Sequence, residues 1–143
     1  MHFFLPSVAS LVICTVGLAG QSNSLLDITP NGTRLLVANA DNGTVTVIDV
    51  KERKALREIP VGDHPEGVAW VGDGPVALVS VYRDDRLAFV NTATGTVEPL
   101  ACAAEPYGVV ATKDGTRAFV THDYPGLVSE VDLIGRKVIR TIP

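Results

Sequence analysis

The chain has 143 residues, about one ordinary domain, with 46% hydrophobic and 20% charged residues, a balance that excludes a disordered polypeptide. Its formal net charge is -4, and its basic residues are scattered from Arg34 to Arg140 with no run longer than two, so it lacks the electrostatic footprint of a nucleic-acid binder.

In chain order, residues 1–20 stand apart. Phe3 to Gly20, FFLPSVASLVICTVGLAG, carries no charge, and the first acidic or basic residue is Asp27. An apolar opening that ends in the small-x-small run Gly17-Leu18-Ala19 predicts a signal peptide cleaved after Ala19 or Gly20, or an N-terminal anchor if it is not cleaved. Met1-His2 lacks the Lys or Arg usual before such a segment, and bulky Ile13 before Cys14 argues against a lipoprotein. Residues 21–143 are therefore expected to be exported, to a periplasm, the cell surface or the outside. Cys14 lies within the leader, which leaves Cys102 as a lone, small, buried apolar residue with no disulfide partner.

From Leu25 onward the sequence repeats. The turns Pro30-Asn31-Gly32, Gly72-Asp73-Gly74 and Lys113-Asp114-Gly115 follow one another at steps of 42 and 41 residues. Leu36-Val37-Ala38-Asn39 returns as Leu78-Val79-Ser80-Val81 and Phe119-Val120-Thr121-His122, and His64-Pro65-Glu66-Gly67 as Glu105-Pro106-Tyr107-Gly108. A period of about 40 to 45 residues with several short strands per copy predicts an all-β propeller made of four-stranded antiparallel blades. Three blades are expected, over residues 25–61, 66–101 and 107–143, with strands in the second at Gly67–Trp70, Val76–Val81, Arg86–Asn91 and Thr96–Leu100. Asn-Gly and Asp-Gly pairs are expected to give Gly32, Gly43, Gly74 and Gly115 the positive φ of tight turns. β-Branched runs such as Thr44-Val45-Thr46-Val47-Ile48 suit strands packed on both faces. KERKALREI, Lys51 to Ile59, has the charge pattern of a short helix, but its register makes it a turn and an outer strand.

The Pro-x-Gly opening, the Asp-Gly turn and the Leu/Phe-Val-Ala/Ser/Thr-Asn strand resemble the YVTN-type β-propeller repeat. The resemblance covers Leu25 to Pro143, although no copy carries Tyr-Val-Thr-Asn intact and the first lacks Pro-x-Gly. It implies a propeller scaffold of the kind found in bacterial envelopes. Three blades make a partial ring, expected to be the front of a longer propeller, and an open arc would expose two blade faces prone to self-association.

Antiparallel topology places the linkers and the second-to-third-strand loops on one rim, and the residues that do not repeat collect there. The candidate ligand or partner rim is His64, Glu66, Tyr82, Arg83, Asp84, Asp85, Glu105, Tyr107, His122, Asp123 and Tyr124. The tyrosines offer apolar area with a polar tip, and Arg83-Asp84-Asp85-Arg86 also reads as a solvated turn. His64 and His122 have no metal-ligand spacing, and both are expected to be replaceable with little loss of stability. Glu130 falls where Val47 and Phe89 are apolar, so it marks either a special contact or an exposed face. Trp70 reads as blade core.

Cys-x-x-Cys-His, Gly-x-Ser-x-Gly, His-Glu-x-x-His and a phosphate loop are missing, and no self-contained active site, cofactor or metal is expected. The reading that follows is an exported binding scaffold whose partner is a protein, a surface polymer or a small ligand, without nucleic acid and with membrane contact only through an uncleaved leader. The alternative is a fragment of a periplasmic propeller enzyme, either a cytochrome- or quinone-associated oxidoreductase or a lactonase-like hydrolase.

Overall fold

Short alternating runs separated by turn residues form twelve strands among the residues that the structure describes, 25–143 of a computed structural model. The leader expected at 1–20 lies outside the described residues. Blade one is β1 (Leu26–Ile28), β2 (Arg34–Asn39), β3 (Thr44–Asp49) and β4 (Lys54–Pro60). Blade two is β5 (Pro65–Trp70), β6 (Val76–Val81), β7 (Arg86–Asn91) and β8 (Val97–Ala101). Blade three is β9 (Pro106–Ala111), β10 (Arg117–His122), β11 (Leu127–Asp132) and β12 (Lys137–Ile142). Each blade is an antiparallel meander in sequence order, so the chain is an all-β, three-bladed arc of a propeller. The helix-like charges of Lys51 to Ile59 yield to register, as Lys54 pairs with Asp49 and Ile59 with Val45.

The turns follow the repeat with one exception. Gly32 and Gly115 take φ of 71° and 69°, but in blade two the left-handed residue is Gly72, at 62°, and not Gly74. Gly74 precedes Pro75, whose ring pushes the residue before it toward extended backbone, so the reversal moves earlier.

Blades stack through alternating side chains. Toward blade one, blade two presents Val68, Trp70, Ala77, Val79, Ala88 and Val90, which pack on Leu36, Val45 and Val47. Toward blade three it presents Leu78, Leu87 and Phe89, which pack on Ala118, Val120 and Val131. Among the described residues, only blade two is covered on both faces. In blade one, Val45 and Val47 are buried while Thr44, Thr46 and Ile48 are not, because those three lie on the side of β3 that no described element covers.

The inner strands approach closely at Gly67. A β-carbon there would collide with the Tyr107 carbonyl oxygen of β9. The Ser80 hydroxyl fills the remaining space, accepting from the Gly67 N–H at 2.7 Å and donating to that same Tyr107 carbonyl. The glycine of the Pro-x-Gly motif is thus a device of blade stacking. Between blades one and two, Asp27 Oδ2 accepts from the Trp70 N–H at 2.8 Å, and the Arg34 guanidinium lies 4.9 Å from the centroid of the buried Trp70 ring.

Candidate functional site

Two linkers and two loops build the rim, and the repeat sets both in the same way. His64 and Glu105 occupy equivalent linker positions with φ of 58° and 50°. Each linker carbonyl accepts from the loop of its own blade: His64 O from Tyr82 N–H at 3.0 Å, and Glu105 O from Asp123 N–H at 3.1 Å. The acidic residues of the Arg83-Asp84-Asp85 loop act on the linkers too. Asp84 Oδ2 accepts from Asp63 N–H at 3.2 Å and pairs with Arg86 at 3.1 Å, and Asp85 Oδ1 accepts from Glu105 N–H at 2.8 Å. These carboxylates fix the loops that carry the neighbouring side chains. Arg83 reaches only Asp63, at 3.7 Å, with both side chains well exposed.

At the inner edge, where β5 and β9 begin, the rim becomes aromatic and acidic. Glu66 is buried, and its Oε1 lies 3.0 Å from His64 Nε2. The Tyr82 ring stands edge-on to both His64 and Tyr107, each at 6.2 Å between centroids. Partial burial raises the Tyr82 hydroxyl above its ordinary pKa, and so do the charge and hydrogen bond of Glu105, then the charges of Asp123 and Glu66. His64, Glu66, Tyr82, Glu105, Tyr107 and Asp123 therefore share one neighbourhood. It carries negative charge and aromatic area, which suits a cationic or hydrogen-bond-donating partner.

The structure separates the other candidates from this group. His122 is 3% exposed and lies on the side of β10 that faces blade two. Its Nδ1 is 2.9 Å from the Ala104 carbonyl, to which it donates, and its Nε2 is 2.9 Å from the Ser129 hydroxyl. His122 thus ties the linker to blade three from inside, which argues that its replacement costs more stability than the little expected from the sequence. Tyr124 is 87% exposed and joins the rim through its backbone, whose N–H donates to Glu105 Oε2 at 3.2 Å. No group of three or more His, Cys, Asp or Glu among the described residues has metal-binding geometry.

Two features outside the expected set matter. Arg86 belongs by sequence to a solvated turn, yet its guanidinium donates to the Val61 carbonyl at 2.7 Å and locks the first linker to blade two. Cys102 is only partly buried against the second core, and burial, followed by the Asp85 charge, raises its thiol pKa to about 11.

No protein-family model matches the chain. Among curated proteins, it is similar to the ribosome biogenesis protein BOP1 homolog of Aedes aegypti, 31% identical over 70 residues that make up 49% of this chain and 8% of that protein. Ribosome biogenesis protein bop1 of Danio rerio is 32% identical over 79 residues, 55% of this chain and 10% of that one. Human BOP1 is 31% identical over 70 residues, 49% and 9% respectively. The matched stretch thus spans a tenth or less of each of these relatives. Among solved structures, a chain of the hydrazine synthase of Kuenenia stuttgartiensis superposes with a TM-score of 0.80 at 20% identity, over 94% of this chain and 39% of that one, and shows the fold alone.

The curated relatives correct two expectations. They are named for ribosome biogenesis, so the exported binding scaffold and its periplasmic or cell-surface location do not stand, and the periplasmic enzyme falls with them. The apolar run and its Gly17-Leu18-Ala19 end lack the preceding positive charge that marks a leader, and such a run alone does not distinguish export from other uses of an apolar segment.

Proposed function

We propose that this chain is a YVTN-like propeller segment that acts in the assembly of ribosomal particles, holding a protein component of the particle against the mouth of its rim. The carrying observation is the likeness to ribosome biogenesis proteins over 70 to 79 residues, more than one whole blade. The rim supplies the means. Glu66, Glu105 and Asp123 lie beside Tyr82 and Tyr107, with His64 paired to Glu66 and Arg83 to Asp63, a surface that repels RNA phosphate and favours Lys or Arg side chains of a protein. The fixed loops present this surface with little ordering cost on binding.

The test is sedimentation of the tagged chain from lysates of its own cells on a sucrose gradient. Migration with precursor ribosomal particles supports the reading, and confinement to the top of the gradient overturns it.

A further inference from the structure

The inner strands of neighbouring blades meet differently at the two interfaces of the arc. Along an antiparallel strand, successive N–H groups point to opposite edges. In blade two the Val71 N–H donates to the Val76 carbonyl at 2.9 Å, so the Trp70 N–H points off the sheet, where Asp27 Oδ2 of blade one accepts it at 2.8 Å. In blade three the Thr112 N–H donates to the Arg117 carbonyl at 2.9 Å, so the Ala111 N–H points off the sheet in the same way. One repeat on from Asp27 stands Ala69, which has no acceptor to offer, and no side chain among the described residues accepts from Ala111. One repeat on from Trp70 stands Ala111 itself. The second interface thus lacks both the carboxylate and the indole that fill the first.

A cavity lies beside this gap. At the end of the inner strands opposite the rim, about 570 Å³ is enclosed by Asp27, Ile28, Trp70, Ala111, Thr112 and Lys113, together with the turns that follow β1 and β5. That volume lies within the about 300 to 1,000 Å³ of small-molecule sites. The turns at its edge are fixed. Asp73 Oδ1 accepts from the Asn31 N–H at 2.8 Å, and the Asp73 carbonyl accepts from the Arg34 guanidinium at 2.5 Å. Asp27 is the cavity's one carboxylate among the described residues, and its two oxygens are taken by the N–H groups of Ile28, at 2.9 Å, and Trp70. Lys113 is exposed and forms no ion pair among the described residues. The walls belong to three consecutive blades, so the site does not depend on what flanks them.

We propose that this cavity binds a small organic monocarboxylate with an apolar body the size of an aromatic ring. The ligand carboxylate accepts from the Ala111 N–H, as Asp27 accepts from Trp70, and Lys113 balances its charge. Its body lies over Ala111 against the apolar wall of Ile28 and Trp70. The repeat supplies the template, because the chain fills this inner-strand position at one interface and leaves it to a ligand at the next. The inference rests on the fold and not on the ribosomal reading, so either can fail alone.

Titration of the isotope-labelled full chain with 3-phenylpropionate, followed by amide chemical shifts, is the test. The expected result is saturating shifts, largest from Ala111 to Lys113, with a dissociation constant of about 1 mM or tighter. The neutral isostere 3-phenylpropanamide should bind at least about tenfold more weakly, and Lys113→Ala should weaken 3-phenylpropionate at least about fivefold. Ala69→Asp should move the Ala111 amide with no ligand present and abolish binding, because the chain then supplies the carboxylate itself. Lys113→Ala is an exposed turn substitution, so the charge dependence is read even if Ala69→Asp fails to fold. Shifts that do not saturate, shifts centred away from Ala111, or equal binding of 3-phenylpropanamide or 3-phenylpropylamine would overturn the proposal.

Discussion

Residue 122 occupies the place of Val81 one repeat earlier, on the side of its strand that packs against the neighbouring blade, and a histidine there must satisfy two ring nitrogens without water. It does so with the Ala104 carbonyl and the Ser129 hydroxyl. His122→Ala is expected to cost about 2 to 4 kcal/mol, as a cavity and two bereft partners, whereas His64→Ala should cost about 1 kcal/mol. Urea unfolding of the two variants checks the difference, and equal midpoints would refute it. Cys102 gives the pH-dependent counterpart. With its pKa raised to about 11 by burial, the reactive thiolate is scarce near neutrality, so alkylation should be slow at pH 8 and accelerate steeply toward pH 11. A rate already level by pH 9 would contradict that environment. The burial of His122 was legible in the alternation of β10, since Val120 and His122 share a side. The loop position outweighed that signal because His122 is also the last residue before the rim. The Glu130 ion network was not legible, because Arg117 and Arg140 reach it from two other strands and only strand pairing brings the three together.

At the scale of elements, Pro-x-Gly occurs at the start of β5 and of β9, but only one glycine touches another blade. Gly67 abuts the Tyr107 carbonyl, while the nearest atom to a β-carbon on Gly108 is Thr121 Oγ1 at 3.1 Å, in its own blade. Gly67→Ala should therefore destabilise by about 2 to 3 kcal/mol through forced separation of two inner strands, and Gly108→Ala by less than about 1 kcal/mol. Thermal melts of the two variants distinguish this from a general intolerance of the motif, which would penalise both alike. The motif itself was plain in the sequence. Which copy used it for stacking was not, because that depends on the presence of a neighbour. The strands were legible for a related reason: each copy repeats the same alternation, so ambiguity in one, such as the helical charges of Lys51 to Ile59, is settled by the others.

For the whole molecule, the repeat explains the fold, and the departures from it place the candidate contacts. The rim gathers acidic and aromatic side chains at the inner edge of blades two and three, and the outer faces carry apolar surface at one end and paired charge at the other. Function was the least legible level, since a propeller supplies positions for loops and no chemistry of its own. The apolar run of residues 3–20 points to export, and the likeness to ribosome biogenesis proteins corrects that reading. The most direct measurement compares the sucrose-gradient profile of the wild-type chain with that of a Tyr82→Ala, Glu66→Gln rim variant. The account predicts that the wild type migrates with precursor ribosomal particles and that the variant, folded by circular dichroism, shifts to the top fractions. Co-migration of both, or of neither, would contradict a role of this rim in ribosome assembly.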